Sequence, residues 1–217
     1  LTWQDANGNA RSFAKEKIDA IVNSLDKKDA TVVAIDRKPK KTFSPGLYDL
    51  TELQRDANKI FGYSAKETLN IMQKLYESHK VLTYPRTDSR YISNDIVPTL
   101  PERLKACGVG EFRPLSNKIL TKPIKANKSF VDDARVSDHH AIIPTEEYVN
   151  FSAFSDKERK IYDLVVKRFL AVLFPAHEYE QLTVQAEIGS EKFIARGKTV
   201  LTMGWKEVYA NRFDDEE

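Results

Sequence analysis

The sequence has a single cysteine, no long apolar run and almost no net charge. Cys107 cannot form an internal disulfide, which indicates a reducing, cytoplasmic compartment. No apolar stretch approaches the ~18 residues that span a bilayer, so we expect no membrane contact. No signal peptide opens the chain and its first residue is leucine, from which we expect a piece of a longer protein.

Positive and negative charges nearly balance, with 34 Lys and Arg against 32 Asp and Glu. The net charge of +2 therefore does not by itself indicate a nucleic-acid binder. The distribution is less even, because residues 112–131 contain no acid and five cations: Arg113, Lys118, Lys122, Lys125 and Lys128. A solvated loop is the ordinary explanation of such a run. At 217 residues and 41% hydrophobic, the chain can bury a core and form one or two domains.

Strand patterns occupy both ends of the chain. Residues 31–35 form a β-branched apolar run, and residues 182–188 alternate apolar and polar side chains with the period of a half-buried strand. A glycine-containing turn then leads into further strand segments at 192–195 and 200–203. Ahead of the first run, apolar residues at 18–25 recur at helical spacing, which predicts a helix there.

The middle of the chain is mainly helical by the same criteria. Asp49, Ser64 and Ser155 are each followed three residues later by glutamate, the pattern of a capped helix start. The first two helices and the apolar run 81–84 predict a helix-turn-helix that enters a strand, for which a winged-helix arrangement is natural. An ordinary helical hairpin is the alternative from these patterns alone. Residues 108–135 carry Gly and Pro breakers, and we expect them to be irregular.

These patterns predict an α+β chain in which a helical domain is inserted into a strand-rich one. The strand-rich domain takes residues 1–44 and 175–217, and the mainly helical, winged-helix-like domain takes residues 45–174. Strands from the two ends are then expected to pair with each other across the inserted domain.

The run LTYPRTDSRY at 82–91 is the most informative motif in the sequence. A tyrosine hydroxyl, with a free pKa near ~10, is a poor nucleophile unless a nearby cation favours the phenolate and offsets phosphate charge. Arg86 follows Tyr84 by two residues and offers a planar fork of donors suited to phosphate, and Arg90 offers a second. For an arbitrary tyrosine, a strand residue with its ring in the core is the ordinary explanation.

Three further polar residues crowd the same run. Thr87 and Ser89 are small hydroxyl donors of the kind that fix a DNA backbone. Asp88 lies between the two arginines, and we expect it to orient their guanidinium groups. This concentration of phosphate-competent groups favours a catalytic role for the tyrosine over a purely structural one.

A second motif is SDHHAIIPT at 137–145. Adjacent side chains diverge on a helix or a strand, so His139 and His140 do not form a metal-binding pair. No Cys or carboxylate cluster supplies a zinc site at recognisable spacing, and we predict no metal ligand in this sequence. Taken alone, each histidine is most simply a surface or core residue with satisfied hydrogen bonds.

Together the two motifs closely resemble the active-site tyrosine motif and the downstream histidine motif of type IA DNA topoisomerases, in the form typical of topoisomerase III. The resemblance extends to residues 45–54, 62–69 and 158–174, so that in effect the whole chain resembles the middle of such an enzyme. It implies part of the strand-rich arch (domain II) at both ends and the winged-helix-like tyrosine domain (domain III) between them.

The resemblance implies Tyr84 as the nucleophile that takes a DNA phosphate onto itself as a 5′-phosphotyrosine link. It assigns Arg86 to stabilising the phosphate charge and His139 to contacting the same phosphate or assisting proton transfer. It further implies DNA contacts from Thr87, Ser89, Arg90, Arg135 and His140. The expected substrate is single-stranded or underwound DNA, and religation would need no ATP because the covalent link conserves the phosphodiester energy.

One departure from the family pattern concerns the metal. The family's Mg²⁺ is held by a Toprim domain with an Asp-x-Asp-x-Glu cluster, and no Asp-x-Asp occurs in this sequence. We therefore expect the Mg²⁺ ligands in the rest of the parent chain, which would also complete the toroid and line the single-strand groove. On this interpretation the chain is the gate part of a monomeric topoisomerase and is inactive alone.

Three alternatives remain at this point. The motifs also fit the corresponding core of a reverse gyrase. A non-catalytic winged-helix DNA-binding module would use Tyr84 as an ordinary strand residue. A tyrosine recombinase fits less well, because its tyrosine normally follows its Arg and His residues, whereas Tyr84 precedes His139.

Overall fold

A computed structural model describes residues 1–210, which fold into two compact units. The first, here the sheet unit, comprises Leu1–Thr42 and His177–Met203. The second, here the helical unit, comprises Phe43–Ala176 and, at the end of the described chain, residues 204–210. None of the described helices combines the length and apolar character that crossing a bilayer requires.

The sheet unit is an antiparallel four-stranded sheet with one helix. In chain order its elements are β1 (Thr2–Gln4), α1 (Lys15–Leu25), β2 (Ala30–Thr42), β3 (His177–Ile188) and β4 (Glu191–Thr202). The strand order is β1-β4-β3-β2, so β2 from the start of the chain pairs along its whole length with β3, more than a hundred residues later. The predicted pairing between the two ends of the chain is confirmed.

Two strands differ in extent from the sequence prediction. The segments expected separately at 192–195 and 200–203 form the single strand β4. The strand expected at 31–35 continues to Thr42, through Pro39. Proline is tolerated there because β2 is an edge strand. On its open side β2 has no partner strand, so no hydrogen bond of the sheet depends on a backbone N–H there.

Five α-helices lie in the part of the helical unit that the structure describes. They are α2 (Leu50–Phe61), α3 (Ala65–Glu77), α4 (Leu100–Cys107), α5 (Arg113–Leu120) and α6 (Asp156–Leu173). The predicted N-caps of α2, α3 and α6 are confirmed, since each cap side chain accepts a hydrogen bond from the backbone N–H three residues on. At the start of α6, Ser155 and Glu158 complete a reciprocal capping box.

The core of the helical unit forms where α6 packs on α2 and α3. The inner face of α6 buries Ile161, Val165 and Phe169, and the facing helices α2 and α3 contribute Leu53 and Met72. Each such side chain stabilises the fold by about 1.5–3 kcal/mol when fully withdrawn from water. This packed framework carries the irregular segments between α3 and α6, which contain both sequence motifs.

Two sequence predictions for this unit are wrong. The run 81–84 does not form a strand, because its pairing is limited to an isolated bridge between Leu82 and Pro144. Residues 108–135 are not wholly irregular, since they contain α5. Pro114 suggested a break, but it stands in the first turn of α5, where its missing N–H has no helical partner to lose.

The end of the described chain also departs from the expected domain boundary. A 3₁₀ helix at Gly204–Tyr209 belongs to the helical unit and packs against α6. The backbone N–H of Trp205 donates to the carbonyl of Pro175 at 2.9 Å, which anchors this turn beside the end of α6. The predicted α+β class is confirmed, and residues 43–176 of the helical unit lie in sequence between β2 and β3 of the sheet unit.

Candidate active site

Two loops of the helical unit lie side by side and carry the two motifs. We call residues 81–91 the tyrosine loop and residues 137–145 the histidine loop. The backbone N–H of Thr83 donates to the carbonyl of Ile143, and the N–H of Ile143 donates back to the Thr83 hydroxyl oxygen, both at 3.0 Å. The Thr83 hydroxyl in turn donates to the carbonyl of Ala141 at 3.2 Å. Thr83 therefore contributes three of the bonds that fix the register between the two loops.

This register places the rings of Tyr84 and His139 in contact. Their centroids are 4.2 Å apart and their planes are inclined by 39°. Tyr84 is half-buried and His139 is exposed. Among the described residues the Tyr84 hydroxyl has no hydrogen-bond partner, so it is free to meet a substrate. The structure thus brings together two residues that are 55 positions apart (139 − 84) in the sequence.

Tyr84 stands at the border of two clefts. The first has a volume of about 380 Å³ and is lined by both histidines of the motif together with Ser93 and Asp95. The second has a volume of about 590 Å³ and is lined by Tyr76, Lys80 and Arg103. Thr83 and Tyr84 line both.

Arg86 is the least constrained charged group of the tyrosine loop. It is exposed, and within the described chain its guanidinium makes no ion pair or hydrogen bond. Asp88 is also exposed, and the described ion pairs do not join it to Arg86 or to Arg90. The expected orientation of the arginines by Asp88 is therefore not seen. Arg86 retains its full set of donors for an anion.

Arg90 points back into the helical unit. Its Nε donates to the carbonyl of Leu47 at 3.2 Å, and its guanidinium lies against Gly46. A Cβ at position 46 would lie 3.7 Å from that guanidinium, which is an ordinary van der Waals distance, so the arginine does not require glycine there. Arg90 thus ties the tyrosine loop to the turn that precedes α2. Its predicted contact with DNA stays a prediction.

The same turn is held from its other side by Arg168 on α6. Arg168 donates to the carbonyl of Gly46 at 3.1 Å, to the Tyr48 hydroxyl at 3.0 Å and to the Asp56 carboxylate at 2.7 Å. The Tyr48 hydroxyl donates to the same carboxylate. Burial raises the pKa of the Tyr48 phenol, with the Arg168 charge acting in the opposite direction. Tyr48 therefore serves as a neutral donor inside the support of the site.

Thr87 and Ser89 are buried rather than displayed. The Thr87 hydroxyl donates to the backbone carbonyl of His139 at 2.9 Å, and its oxygen accepts from the N–H of Ser89 at 3.1 Å. The Ser89 hydroxyl lies 2.7 Å from the carbonyl of Arg135, to which it donates. Both hydroxyls hold the segment that carries the histidine, a role that the sequence did not suggest. Their predicted DNA contacts stay predictions.

Arg135 is exposed and joined to an aromatic ring. Its guanidinium lies 4.9 Å from the Tyr91 ring centroid, and it donates to the Tyr91 hydroxyl at 2.6 Å. It also pairs with Asp132 at 3.4 Å. These contacts leave the guanidinium at the protein surface, where it is accessible to a phosphate or a base.

His140 differs from its neighbour in being half-buried. Its Nδ1 lies 2.8 Å from the carbonyl of Ala141, and because a carbonyl only accepts, Nδ1 carries the proton and Nε2 is left as an acceptor. Burial lowers the pKa of His140, with the bond to Ala141 acting in the opposite direction. His140 is thus held neutral near pH 7, whereas a phosphate contact through Nε2 would need a proton there.

Arg103 on α4 supports the site without belonging to either motif. It is buried, and it donates to the Thr99 hydroxyl at 2.8 Å and to the carbonyl of Pro144 at 2.9 Å. Its remaining nitrogen pairs with Glu146 at 2.8 Å. Arg103 therefore anchors the end of the histidine loop. Sequence reasoning missed it because it is an ordinary-looking residue on a short helix, with no motif around it.

The described residues do not provide a magnesium site. No group of three or more His, Cys, Asp or Glu side chains converges in a way that could hold a metal ion within residues 1–210. In the first cleft, the carboxylate of Asp133 is already engaged by the backbone N–H and side-chain amide of Asn94, at 2.8 and 2.6 Å. Mg²⁺ requires a near-octahedral set of oxygen ligands, which these groups do not supply.

The fold of this chain is similar to a solved topoisomerase. Full-length topoisomerase I of Thermotoga maritima superposes with a TM-score of 0.69, covering 99% of this chain and 34% of that one, at 22% sequence identity. At this identity the similarity concerns the fold alone.

Sequence comparison then gives the family. A family model described as DNA topoisomerase matches residues 3–217, and the chain belongs to this family. DNA topoisomerase 3 of Bacillus anthracis is 82% identical over all 217 residues, and that of Bacillus subtilis (strain 168) is 55% identical over 218 aligned residues. The chain spans 30% of the length of each of these relatives. The resemblance to topoisomerase III inferred from the two motifs is confirmed.

Proposed function

We propose that this chain is the gate segment of an ATP-independent type IA topoisomerase of the topoisomerase III kind, with Tyr84 as the nucleophile. The phenolic oxygen of Tyr84 attacks a backbone phosphate of single-stranded or underwound DNA. A Tyr84 oxygen–phosphorus bond forms, and the bond from phosphorus to the 3′-oxygen breaks, leaving a 5′-phosphotyrosine and a free 3′-hydroxyl. The phenol loses a proton as it attacks, and the departing 3′-oxygen gains one, so the step is balanced.

The observation that carries this proposal is the setting of the Tyr84 hydroxyl. It has no hydrogen-bond partner among the described residues, it borders two clefts, and its ring rests against His139. A core tyrosine would instead have a buried ring and a committed hydroxyl, as Tyr48 does. The contrast between these two tyrosines favours a reactive role for Tyr84.

Arg86 and His139 are assigned to the phosphate under attack. Arg86 follows Tyr84 by two residues and has no partner among the described residues, and a cation there would offset the charge that develops on the phosphoryl oxygens. His139 is in ring contact with Tyr84 and is exposed, so its imidazole can reach the same phosphate or assist proton transfer. Of the DNA-binding candidates Thr87, Ser89, Arg90, Arg135 and His140, we assign a contact along the rest of the strand to Arg135, because its guanidinium stays at the protein surface.

The other groups that the reaction needs are assigned to the parts of the parent chain outside this segment. Mg²⁺ would be held there and would offset phosphate charge, which leaves this segment inactive alone. The parent is proposed to act as a cytoplasmic monomer in which the helical unit moves as a gate for strand passage. The 82% identity to a Bacillus topoisomerase 3 supports this assignment over a reverse gyrase core.

The proposal is tested by replacing the nucleophile in the full-length parent. Tyr84→Phe removes the hydroxyl but keeps the ring against His139, so single-stranded DNA should still bind while the covalent adduct disappears. Labelled oligonucleotide, quenched with denaturant and run on a denaturing gel, reports the adduct directly. An adduct at the wild-type level in this variant would contradict the proposal. It would mean that another residue is the nucleophile, whereas DNA binding with no adduct even in the wild-type parent would favour a non-catalytic DNA-binding module.

A further inference from the structure

Tyr76 occupies an unusual position on helix α3. The buried face of α3 consists of Thr68, Ile71, Met72 and Leu75, which fixes the rotation of the helix against the core. Tyr76 follows Leu75 and falls outside that face, with 37% of its surface exposed. Its ring is therefore not required for packing the core. It nevertheless makes one specific contact.

That contact is with the proposed nucleophile. The ring centroids of Tyr76 and Tyr84 are 5.4 Å apart and the planes are inclined by 79°, an edge-to-face arrangement. Tyr76 lines the second cleft, His139 lines the first, and Tyr84 lines both. Two separate elements thus restrain the Tyr84 ring: the histidine loop through His139, and helix α3 through Tyr76.

We propose that Tyr76 is a positioning residue, which holds the Tyr84 ring in the orientation from which its hydroxyl attacks the phosphate. This inference rests on the proposed function of Tyr84. A half-buried tyrosine in a loop can otherwise adopt other side-chain rotamers, each of which would move the hydroxyl by several ångströms. Attack requires the reacting atoms within about 3–3.5 Å and in line, so an orientation held in advance raises the rate. A ring mounted on a packed helix is better suited to this than a loop residue.

The inference predicts a separation between cleavage and binding. Tyr76→Ala and Tyr76→Leu in the full-length parent both remove the aromatic edge, and Tyr76→Leu retains most of the apolar volume. Each should slow single-turnover cleavage of a single-stranded oligonucleotide by about tenfold, the scale of a modest misorientation of reacting groups. Tyr76→Phe retains the ring and should cleave within about twofold of wild type. Binding of the uncleaved oligonucleotide, measured by anisotropy in a Tyr84→Phe background, should be unchanged in every variant.

Tyr148→Ala provides a matched control. Tyr148 lies in the same helical unit and is 70% exposed, and it makes no ring contact in the described structure. Its removal should leave both cleavage and binding at wild-type values. Thermal unfolding of all variants establishes that they are folded at the assay temperature.

Three results would overturn the inference. Wild-type cleavage by Tyr76→Ala and Tyr76→Leu would mean that the ring contact does not matter. Weaker oligonucleotide binding with an unchanged cleavage rate at saturation would make Tyr76 a base-stacking residue instead. Loss of activity in Tyr76→Phe as well would assign the effect to the Tyr76 hydroxyl. Failure of the proposed function gives a different result, because the covalent adduct would then persist in the single variant Tyr84→Phe, whatever residue stands at position 76.

Discussion

The hydroxyl of Thr87 donates to the backbone carbonyl of His139 at 2.9 Å, and this bond links the tyrosine loop to the residue that touches the Tyr84 ring. The position of His139 beside Tyr84 is therefore set through its backbone by a buried threonine, while its imidazole remains exposed. The backbone of His139 fixes its position, and its imidazole is the part that is available for chemistry.

Thr87→Val should both destabilise the protein and slow cleavage. Valine keeps the shape of threonine but leaves the carbonyl of His139 and the N–H of Ser89 without their partner, which costs about 1–3 kcal/mol when such groups are buried. Thr87→Ser keeps the hydroxyl and should retain most of the activity. Urea unfolding and oligonucleotide cleavage measure the two effects. If Thr87→Val changes only DNA affinity, the hydroxyl serves the substrate rather than the loop.

Arg86→Ala should lower activity without affecting stability. The side chain is exposed and unpaired in the described structure, so its loss removes no folding contact. Cleavage should slow by at least about tenfold, equivalent to ~1.4 kcal/mol of transition-state stabilisation, and His139→Ala should behave alike. Plasmid relaxation and melting temperature, measured on the same preparations, separate the effects. A loss of activity that merely follows a loss of folding would make either residue structural.

Arg168→Ala should mainly affect stability. Arg168 holds the Gly46 turn and pairs with Asp56, so its removal leaves a partly buried carboxylate unpaired and costs about 3 kcal/mol. Arg168→Ala combined with Asp56→Ala should cost less than the sum of the two single changes. Urea unfolding of the three variants measures this coupling. Strict additivity would mean that the ion pair contributes nothing beyond its separate parts.

Glu158 gives the helical unit an acid-sensitive helix start. The backbone N–H of Ser155 is the main reason that the pKa of Glu158 lies below its usual value of 4.5. A carboxylate whose pKa is depressed by folding contributes stability that is fully present above its unfolded pKa and is lost as pH falls through the folded one. Urea midpoints measured from about pH 6 to about pH 3, the range around the ordinary carboxyl pKa, should therefore fall less for Glu158→Gln than for wild type. Equal losses of stability in both proteins would mean that Glu158 is not the source of the acid sensitivity.

Much of the fold was predictable from local patterns. The caps at Asp49, Ser64 and Ser155 start helices as expected, because each side chain satisfies an N–H that the helix itself leaves open. The long pairing of β2 with β3 was also predicted, although the extension of β2 past Pro39 was not. Its edge position, which makes that proline acceptable, is a property of the sheet and not of the local sequence.

The motifs pointed to candidate site residues, whose chemical roles stay predictions, but not to the residues that support them. The motifs gave Tyr84, Arg86 and His139, but their contacts depend on loops joined through Thr83 and Thr87 across more than fifty residues. No local pattern specifies such bonds. The same holds for the buried supports Arg103 and Arg168, whose partners include the distant backbone carbonyls of Pro144 and Gly46.

The central claim, that Tyr84 becomes covalently linked to DNA, is tested most directly by locating the link. The full-length parent would be trapped on a single-stranded oligonucleotide with denaturant, digested with nuclease and protease, and the nucleotide-bearing peptide sequenced by mass spectrometry. The account predicts a 5′-phosphate attached to the Tyr84 oxygen, with a free 3′-hydroxyl on the other DNA fragment. A link to any other residue, or a 3′-phosphate attached to Tyr84, would contradict it.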